Sequence, residues 1–388
     1  MSMVEWKKLG DFASVQKTKN KKHITENAYS ITQAGLVPTK SFFKEKTHVT
    51  SADTSGYYIV QKDWFVYSPS RIDVGSISYL KDEGPVIVSP IDVVFSIDKN
   101  KCLPSYLLSY FFTYDGKKEI LRNREGVEGM GRRNLPFEAI KNMPIPLPSL
   151  SEQERIVGIL DTFTSSIENL KAQISLRRKQ YEHYRDKLLD LEGKPGVEMK
   201  TLGEVCDFIR GPFGGALKKE IFVNEGYAIY EQQHAIYGEW SFRYFIDEKK
   251  FSEMKRFEVK PGDILMSCSG TMGKTSIVPS NCIKGIINQA LLKLTTRDIL
   301  DNKFLKKYMD SQWFQDGLKK QVAGGAIQNV ASVSILKDLI VPLPSLEEQS
   351  RIVSILDEFE ASIKNLEAQL EAREKQYEYY RNKLLTFE

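Results

Sequence analysis

The chain has 388 residues, 41% hydrophobic and 27% charged, with a formal net charge of +4. That suffices for about two or three domains with their own cores and excludes a disordered or fibrous chain. No run of about 18 apolar residues and no signal-peptide pattern occurs, so a cytoplasmic protein is expected, and the dispersed cysteines and histidines predict no metal site.

Residues 1–12, MSMVEWKKLGDF, have an echo at 197–205, VEMKTLGEV. The segment after the first is β-rich by pattern, with short aromatic and β-branched runs at Tyr57–Val60, Trp64–Tyr67, Val86–Val88 and Val93–Ile97. Ser105–Phe112 and Lys117–Arg122 read as helix, and Glu125–Asn134 as a glycine-rich basic loop. The segment after the echo has the same plan. Strands are predicted at Tyr227–Tyr230, Asp263–Ser267, Thr275–Val278 and Leu291–Leu294, and one helix over Asn302–Val322. A shared skeleton with different residues predicts two copies of one α+β fold.

Each copy ends in the same stretch. Pro146–Glu192 and Pro342–Glu388 align without a gap at an offset of 196, with 31 identities in 47 positions. A proline-punctuated hinge is followed by apolar positions at alternating steps of four and three. In the first copy these are Ile156, Leu160, Phe163, Ile167, Leu170, Ile174, Arg177, Tyr181, Tyr184 and Leu188. In the second they are Ile352, Leu356, Phe359, Ile363, Leu366, Leu370, Arg373, Tyr377, Tyr380 and Leu384. A 3.5-residue period predicts coiled-coil helices, each a rod of about 48 Å. Only Gly193-Lys194-Pro195 separates the first rod from the echo segment, which predicts an antiparallel intramolecular pair and a pseudo-two-fold chain. Arg177 and Arg373 at seam positions are read as snorkelling stems; a register-fixing pairing with Glu182 or Glu378 is the alternative. The domains so predicted are 1–150, a helix at 151–195, 196–345, and a second helix at 346–388. The two larger segments are net basic, at +5 and +3, and the helices are neutral and −4. That distribution is compatible with nucleic acid meeting the larger segments.

Catalytic signatures are missing. Residues 267–276, SCSGTMGKTS, resemble a phosphate-binding loop but carry Cys268 where its first glycine belongs. Asp92 and Asp98-Lys99 are better read as strand-edge charges than as a nuclease triplet. The candidates for base contact are polar residues in corresponding places of the two halves. Thr32 and Gln33 correspond to Gln232 and Gln233, Arg71 and Ser76 to Thr271 and Lys274, and Arg132 and Arg133 to Gln328 and Asn329. Arginine suits guanine, while glutamine and asparagine suit adenine. Lys44, Lys46, Lys81, Lys218, Lys219, Lys319 and Lys320 are the candidates for phosphate contact.

The repeated PLPSLxEQxRIVxILDxF followed by KQYEYYRxKLL, with YSPSRIDVGSIS in one half and SCSGTMGKTS in the other, resembles the specificity subunit of type I restriction–modification systems. The resemblance implies a non-catalytic DNA-binding subunit with two target-recognition domains, each reading one half of a bipartite double-stranded target. The helices would set the gap and dock two methyltransferase subunits, joined by restriction/translocase subunits. It implies no cofactor on this chain: S-adenosylmethionine would belong to the methyltransferase, and ATP and Mg to the restriction subunit. Two rival readings are a coiled-coil protein-interaction adaptor without DNA specificity and a stand-alone nuclease or NTPase.

Overall fold

Alternation sets the two faces of a sheet: in Phe65-Val66-Tyr67 the aromatics point one way and the valine the other. The computed structural model describes residues 4–39, 53–125, 135–213, 215–268, 271, 273–323 and 333–387. The chain divides into two compact units, Met1–Ala172 with Glu367–Glu388, and Gln173–Leu366.

In unit 1, Ala13–Gln16, Val93–Ile97, Phe65–Tyr67 and Ile77–Tyr79 form an antiparallel sheet in that order. Phe65 lies opposite Phe95, their rings stacked at 4.9 Å. With Tyr67 they pack on Tyr106, Tyr110 and Phe111 of the helix Pro104–Phe111 and on Ile120 of the helix Tyr114–Glu125. Val66 and Val94 face the other way. They meet the strand pair Tyr58–Val60 and Val86–Val88 and the hairpin Tyr29–Thr32 and Gly35–Pro38. The opening strand Glu5–Lys8 pairs antiparallel with the hinge strand Pro144–Leu147. Two prolines leave this strand few donors, which suits a two-stranded edge. The carbonyls of Pro146 and Pro144 accept the hydroxyls of Tyr106 (2.7 Å) and Tyr110 (3.2 Å).

Unit 2 repeats the strand order: Cys206–Arg210, Leu291–Thr296, Ile264–Ser267 and Thr275–Ile277. Its opening strand Glu198–Thr201 pairs with the hinge strand Ile340–Leu343. The second sheet is larger, ordered Phe245–Ile246, Tyr227–Tyr230, Gly285–Ile287 and Glu258–Val259, with one parallel pair at its centre. The single helix expected over Asn302–Val322 is instead two, Asn302–Met309 and Gln312–Ala323. Ser311 is fully buried at the break, and the Gln315 side chain satisfies the Met309 carbonyl at 2.7 Å. Unit 1 breaks at the matching place, Phe112-Thr113.

The repeated stretches form two 40-residue helices, Leu150–Leu189 and Leu346–Leu385. Each unit holds part of both, and within each unit the two parts run antiparallel. In unit 1 Phe163 stacks on Tyr380 at 5.3 Å, and Lys171 pairs with Glu374 at 3.0 Å. In unit 2 Tyr184 stacks on Phe359 at 5.4 Å, and the Tyr181 hydroxyl donates to Glu360 at 2.7 Å. Ile156, Leu160, Ile167, Ile174, Ile352 and Leu356 are buried; Leu170, Ile363, Leu366 and Leu370 are half-buried. At the C-terminal ends Leu189 and Leu385 are more buried than the neighbouring Leu188 and Leu384. An α-helix drifts from a strict seven-residue repeat, so the buried position migrates by one.

Candidate nucleic-acid interface

One end of the main sheet in unit 2 gathers its candidates. The turn from Ser267 to Thr275 joins two strands of the sheet. Ser267 donates and accepts across the turn: its N–H donates to the Lys274 carbonyl at 2.9 Å, and its hydroxyl donates to the Thr271 carbonyl at 2.5 Å and accepts Lys274 N–H at 3.1 Å. Gly273 has φ +79, and an added Cβ would lie 2.6 Å from Leu318, so this position demands glycine. Thr271 and Lys274 are left exposed. Beside the turn lies the helix Gln232–Tyr237, whose Ala235 carbonyl accepts the Ser276 hydroxyl at 3.2 Å. On the other side Gln315 donates to the Gly273 carbonyl at 3.3 Å. Gln232, Gln233, Thr271 and Lys274 thus share one region of unit 2. Lys218 and Lys219 are exposed in this unit.

Unit 1 uses the same sheet end. The loop Ser68–Ser76 joins the corresponding strands and closes through Ser68 N–H to the Ser76 carbonyl at 3.0 Å. Gly75, at φ +94, abuts Phe112 as Gly273 abuts Leu318. Arg71 is exposed, but Ser76 is 1% exposed and offers its side chain to no solvent-borne partner. Thr32 sits in the hairpin turn, where its hydroxyl bonds the Gly35 carbonyl and the Ala34 N–H, both at 3.1 Å, leaving Gln33 exposed. The hairpin packs against the strand Ile77–Tyr79, so Gln33 and Arg71 belong to one region. Thr32 and Gln33 in a hairpin turn are therefore unlike Gln232 and Gln233 in a helix. Lys81 is exposed with its ammonium 5.9 Å from the Tyr79 ring. Arg132, Arg133, Gln328 and Asn329 lie outside the described residues, as do Lys44, Lys46 and the side chains of Lys319 and Lys320. Leu135, just after the first of these stretches, donates to the Pro69 carbonyl at 2.9 Å.

The phosphate-loop resemblance does not survive the geometry. Gly273-Lys274-Thr275 leads into a strand, whereas a phosphate-binding loop opens a helix whose N-terminal amides hold the anion. Lys99 pairs with Asp63 at 2.8 Å and not with Asp98 or Asp92. No group of three or more His, Cys, Asp or Glu side chains is arranged to hold a metal among the described residues. No helix of the described residues is long and apolar enough to cross a membrane.

A family model described as the type I restriction–modification DNA specificity domain matches residues 1–177 and again 195–373. The chain belongs to this family. It is 28% identical over 77% of its length to the EcoR124I/EcoR124II specificity subunit of Escherichia coli, covering 74% of that protein. It is 34% identical to a putative type I specificity subunit of Haemophilus influenzae, over 67% of this chain and 68% of the relative. Among solved structures, a chain from work on assembly and conformational transition of the type I restriction–modification system shares the fold at TM-score 0.64. It has 19% identity and covers 98% of this chain and 96% of that one. The type I S subunit from M. genitalium matches at TM-score 0.55 and 15% identity, over 100% and 97% of the two chains. As a member of the family, this chain is a sequence-specific DNA-recognition subunit and not a catalytic one.

Two structural devices of this specificity subunit escaped the reading of residue patterns. Gln153 is fully buried at the start of the first long helix. It accepts from Leu103 N–H at 2.9 Å and donates to the Lys101 and Pro148 carbonyls at 3.0 Å. Gln349 does the same in unit 2 with Asp301, Ile299 and Pro344. The invariance of Glu-Gln across the two copies was the available signal. The second device is His234, fully buried on the helix that carries Gln232 and Gln233. Glu231 N–H donates to its Nδ1 at 2.8 Å, which leaves Nε2 to donate to the Ser241 carbonyl at 2.8 Å. Its ring stacks on Phe242 at 4.7 Å and Trp240 at 5.9 Å, fixing the helix to the following loop.

Proposed function

We propose that residues 1–150 and 196–345 are target-recognition domains, each reading one half of a bipartite duplex site. The observation that carries this is the same strand order presenting, at the same sheet end, unlike loops in the two units. Arg71, Gln33, Thr271, Gln232 and Gln233 are the described candidates for base contact; Lys81, Lys218, Lys219 and, of the two roles open to it, Lys274 would meet phosphates. The helices at 151–195 and 346–388 set the gap between half-sites and dock two methyltransferase subunits. In unit 2 an open groove of about 740 Å³ between the two helix parts is lined by Arg177, Tyr184, Lys187, Arg351 and Phe359. Repetition of these residues as Arg373, Tyr380, Lys383, Arg155 and Phe163 supports two like docking surfaces for two like partners. The chain itself binds no cofactor in this reading. S-adenosylmethionine belongs to the methyltransferase, and ATP with Mg to a restriction subunit.

The test is selection from random duplex pools by the full chain assembled with its methyltransferase partner. A split consensus is expected. Exchange of residues 13–140 for those of a relative should change one half of it only; a change in both halves, or no split consensus, overturns the reading.

A further inference from the structure

Phe213 is 95% exposed, more than any other large apolar side chain among the described residues. A single exposed apolar residue is ordinary on a protein surface. Its placement is not. The strand Cys206–Arg210 ends beside Leu292, and Gly211 N–H donates to the Leu291 carbonyl at 3.0 Å. Cys268 N–H donates to the adjacent Ala290 carbonyl at 2.9 Å. The loop bearing Phe213 and the loop bearing Thr271 and Lys274 therefore leave the same end of the same sheet.

The loop base is constrained. A Cβ on Gly211 would lie 1.8 Å from the Asn288 carbonyl oxygen, so only glycine lets the chain pass there. Pro212 is buried, and the Phe213 carbonyl accepts Ala216 N–H at 2.9 Å. The ring thus stands out from an anchored base. Exposed Lys218 and Lys219 follow it. In unit 1 the corresponding strand Ala13–Gln16 runs into exposed Lys17, Lys19, Lys21 and Lys22. One unit thus offers cations at this sheet end, and the other offers an aromatic ring with cations behind it. Cations suit a phosphate backbone, whereas an aromatic ring suits the faces of bases.

We propose that Phe213 is a wedge that enters the duplex and stacks between adjacent bases of the half-site read by residues 196–345. The proposal rests on the recognition reading above. Apolar wedges of this kind partly unstack one base step and kink the duplex there. A wedge would favour half-sites holding an easily unstacked pyrimidine–purine step, a preference that needs no hydrogen bond to a base edge.

The test uses the full chain with its methyltransferase partner and duplexes of the selected sequence. 2-Aminopurine replaces one base at a time outside the methylated adenines. Wild-type complex should raise the fluorescence at one step of the second half-site. Phe213→Ala should abolish that rise and weaken specific binding by about tenfold, while Phe213→Trp should retain both. If the rise is absent in wild type or persists in Phe213→Ala, while Lys274→Ala still weakens binding, the wedge is refuted and the recognition surface stands. If wild type prefers no sequence in the random pool, the recognition reading fails and takes the wedge with it.

Discussion

The guanidinium of Arg373 sits 5.7 Å from the ring centre of Phe163 on the opposite helix, and Arg177 sits 5.9 Å from Phe359 in the same way. Each arginine also donates to a glutamine three residues on, Gln376 at 3.1 Å and Gln180 at 3.2 Å. Neither uses Glu378 or Glu182 among its described contacts. A seam arginine avoids an unpaired buried charge by lying on an aromatic face near solvent. Arg177→Ala should cost about 1 kcal/mol in wild type and close to nothing in a Phe359→Ala background. Urea unfolding of the four proteins of the cycle measures this; equal costs in both backgrounds would remove the cation–ring contact from the account.

Gln153, itself fully buried, supplies one acceptor and two donor bonds to backbone groups of Leu103, Lys101 and Pro148. Gln153→Ala should destabilise by about 2–4 kcal/mol, because the stranded partners keep their desolvation cost. Gln153→Glu should be no better, since it exchanges two donor bonds for a buried charge. Gln349→Ala should behave likewise. Chemical denaturation gives the values, and losses near 0.5 kcal/mol would mean that water fills the site.

Lys307 is 6% exposed by side chain and bonds Asp357 at 3.0 Å and Glu360 at 2.6 Å, the latter also holding Tyr181. This fastens the helix Asn302–Met309 to both long-helix parts in unit 2. Unit 1 has Ser109, Asp161 and Thr164 in the corresponding places. Burial first, then the Glu360 carboxylate, pushes the Tyr181 hydroxyl pKa upward. Lys307→Ala should cost about 1–2 kcal/mol: it removes the buried cation, but Asp357 and Glu360 are half-exposed and Asp357 keeps Lys303 at 3.6 Å. Thermal unfolding with Lys307→Ala and Ser109→Ala side by side tests the asymmetry; similar small losses would refute it.

Burial lifts the Asp92 carboxyl to about 7. Between the ordinary carboxylate value and about 7 the folded state holds a proton that the unfolded state releases. Stability therefore falls as pH rises through this window, and the penalty is complete above pH 7. Asp92→Asn should match wild type near pH 4 and exceed it at pH 8 by an amount on the order of 2–4 kcal/mol. Melting temperatures of both proteins at pH 4 and pH 8 give the comparison. A constant difference across pH would show that Asp92 does not titrate there.

The rods were legible because a seven-residue apolar repeat and a direct duplication are properties of the chain itself. Strands such as Val86–Val88 and Val93–Ile97 were legible for the same reason: their residues announce a buried pleated surface. The break at Ser311 was not, because a buried serine at a corner is set by what packs around it. Nor was the helix Gln232–Tyr237, whose stability rests on His234 being clasped by Trp240 and Phe242. At the candidate site, spacing placed Arg71 and Lys274 on equivalent loops, but only three-dimensional contacts buried Ser76 and tied up Thr32. Phe213 could not be singled out, since exposure is not written in residue type.

Thr271 and Lys274 occupy one turn yet should affect DNA binding differently. Lys274 is an exposed point charge on a long aliphatic stem, suited to phosphate. Lys274→Ala should weaken binding of all duplexes by a similar factor and lower the slope of log affinity against log salt by about 0.9. Thr271 has a short hydroxyl on a turn braced by Ser267, suited to one base edge. Thr271→Val should leave the salt slope unchanged and relax preference at one position of one half-site, by about 1–3 kcal/mol between the best and next base. Salt titrations and selection from random pools, run with the methyltransferase partner present, separate the two effects. If Lys274→Ala alters sequence preference and Thr271→Val alters only the salt slope, the roles are reversed. The turn then reads bases through its lysine, and the neighbouring helix with Gln232 and Gln233 becomes the support for that lysine.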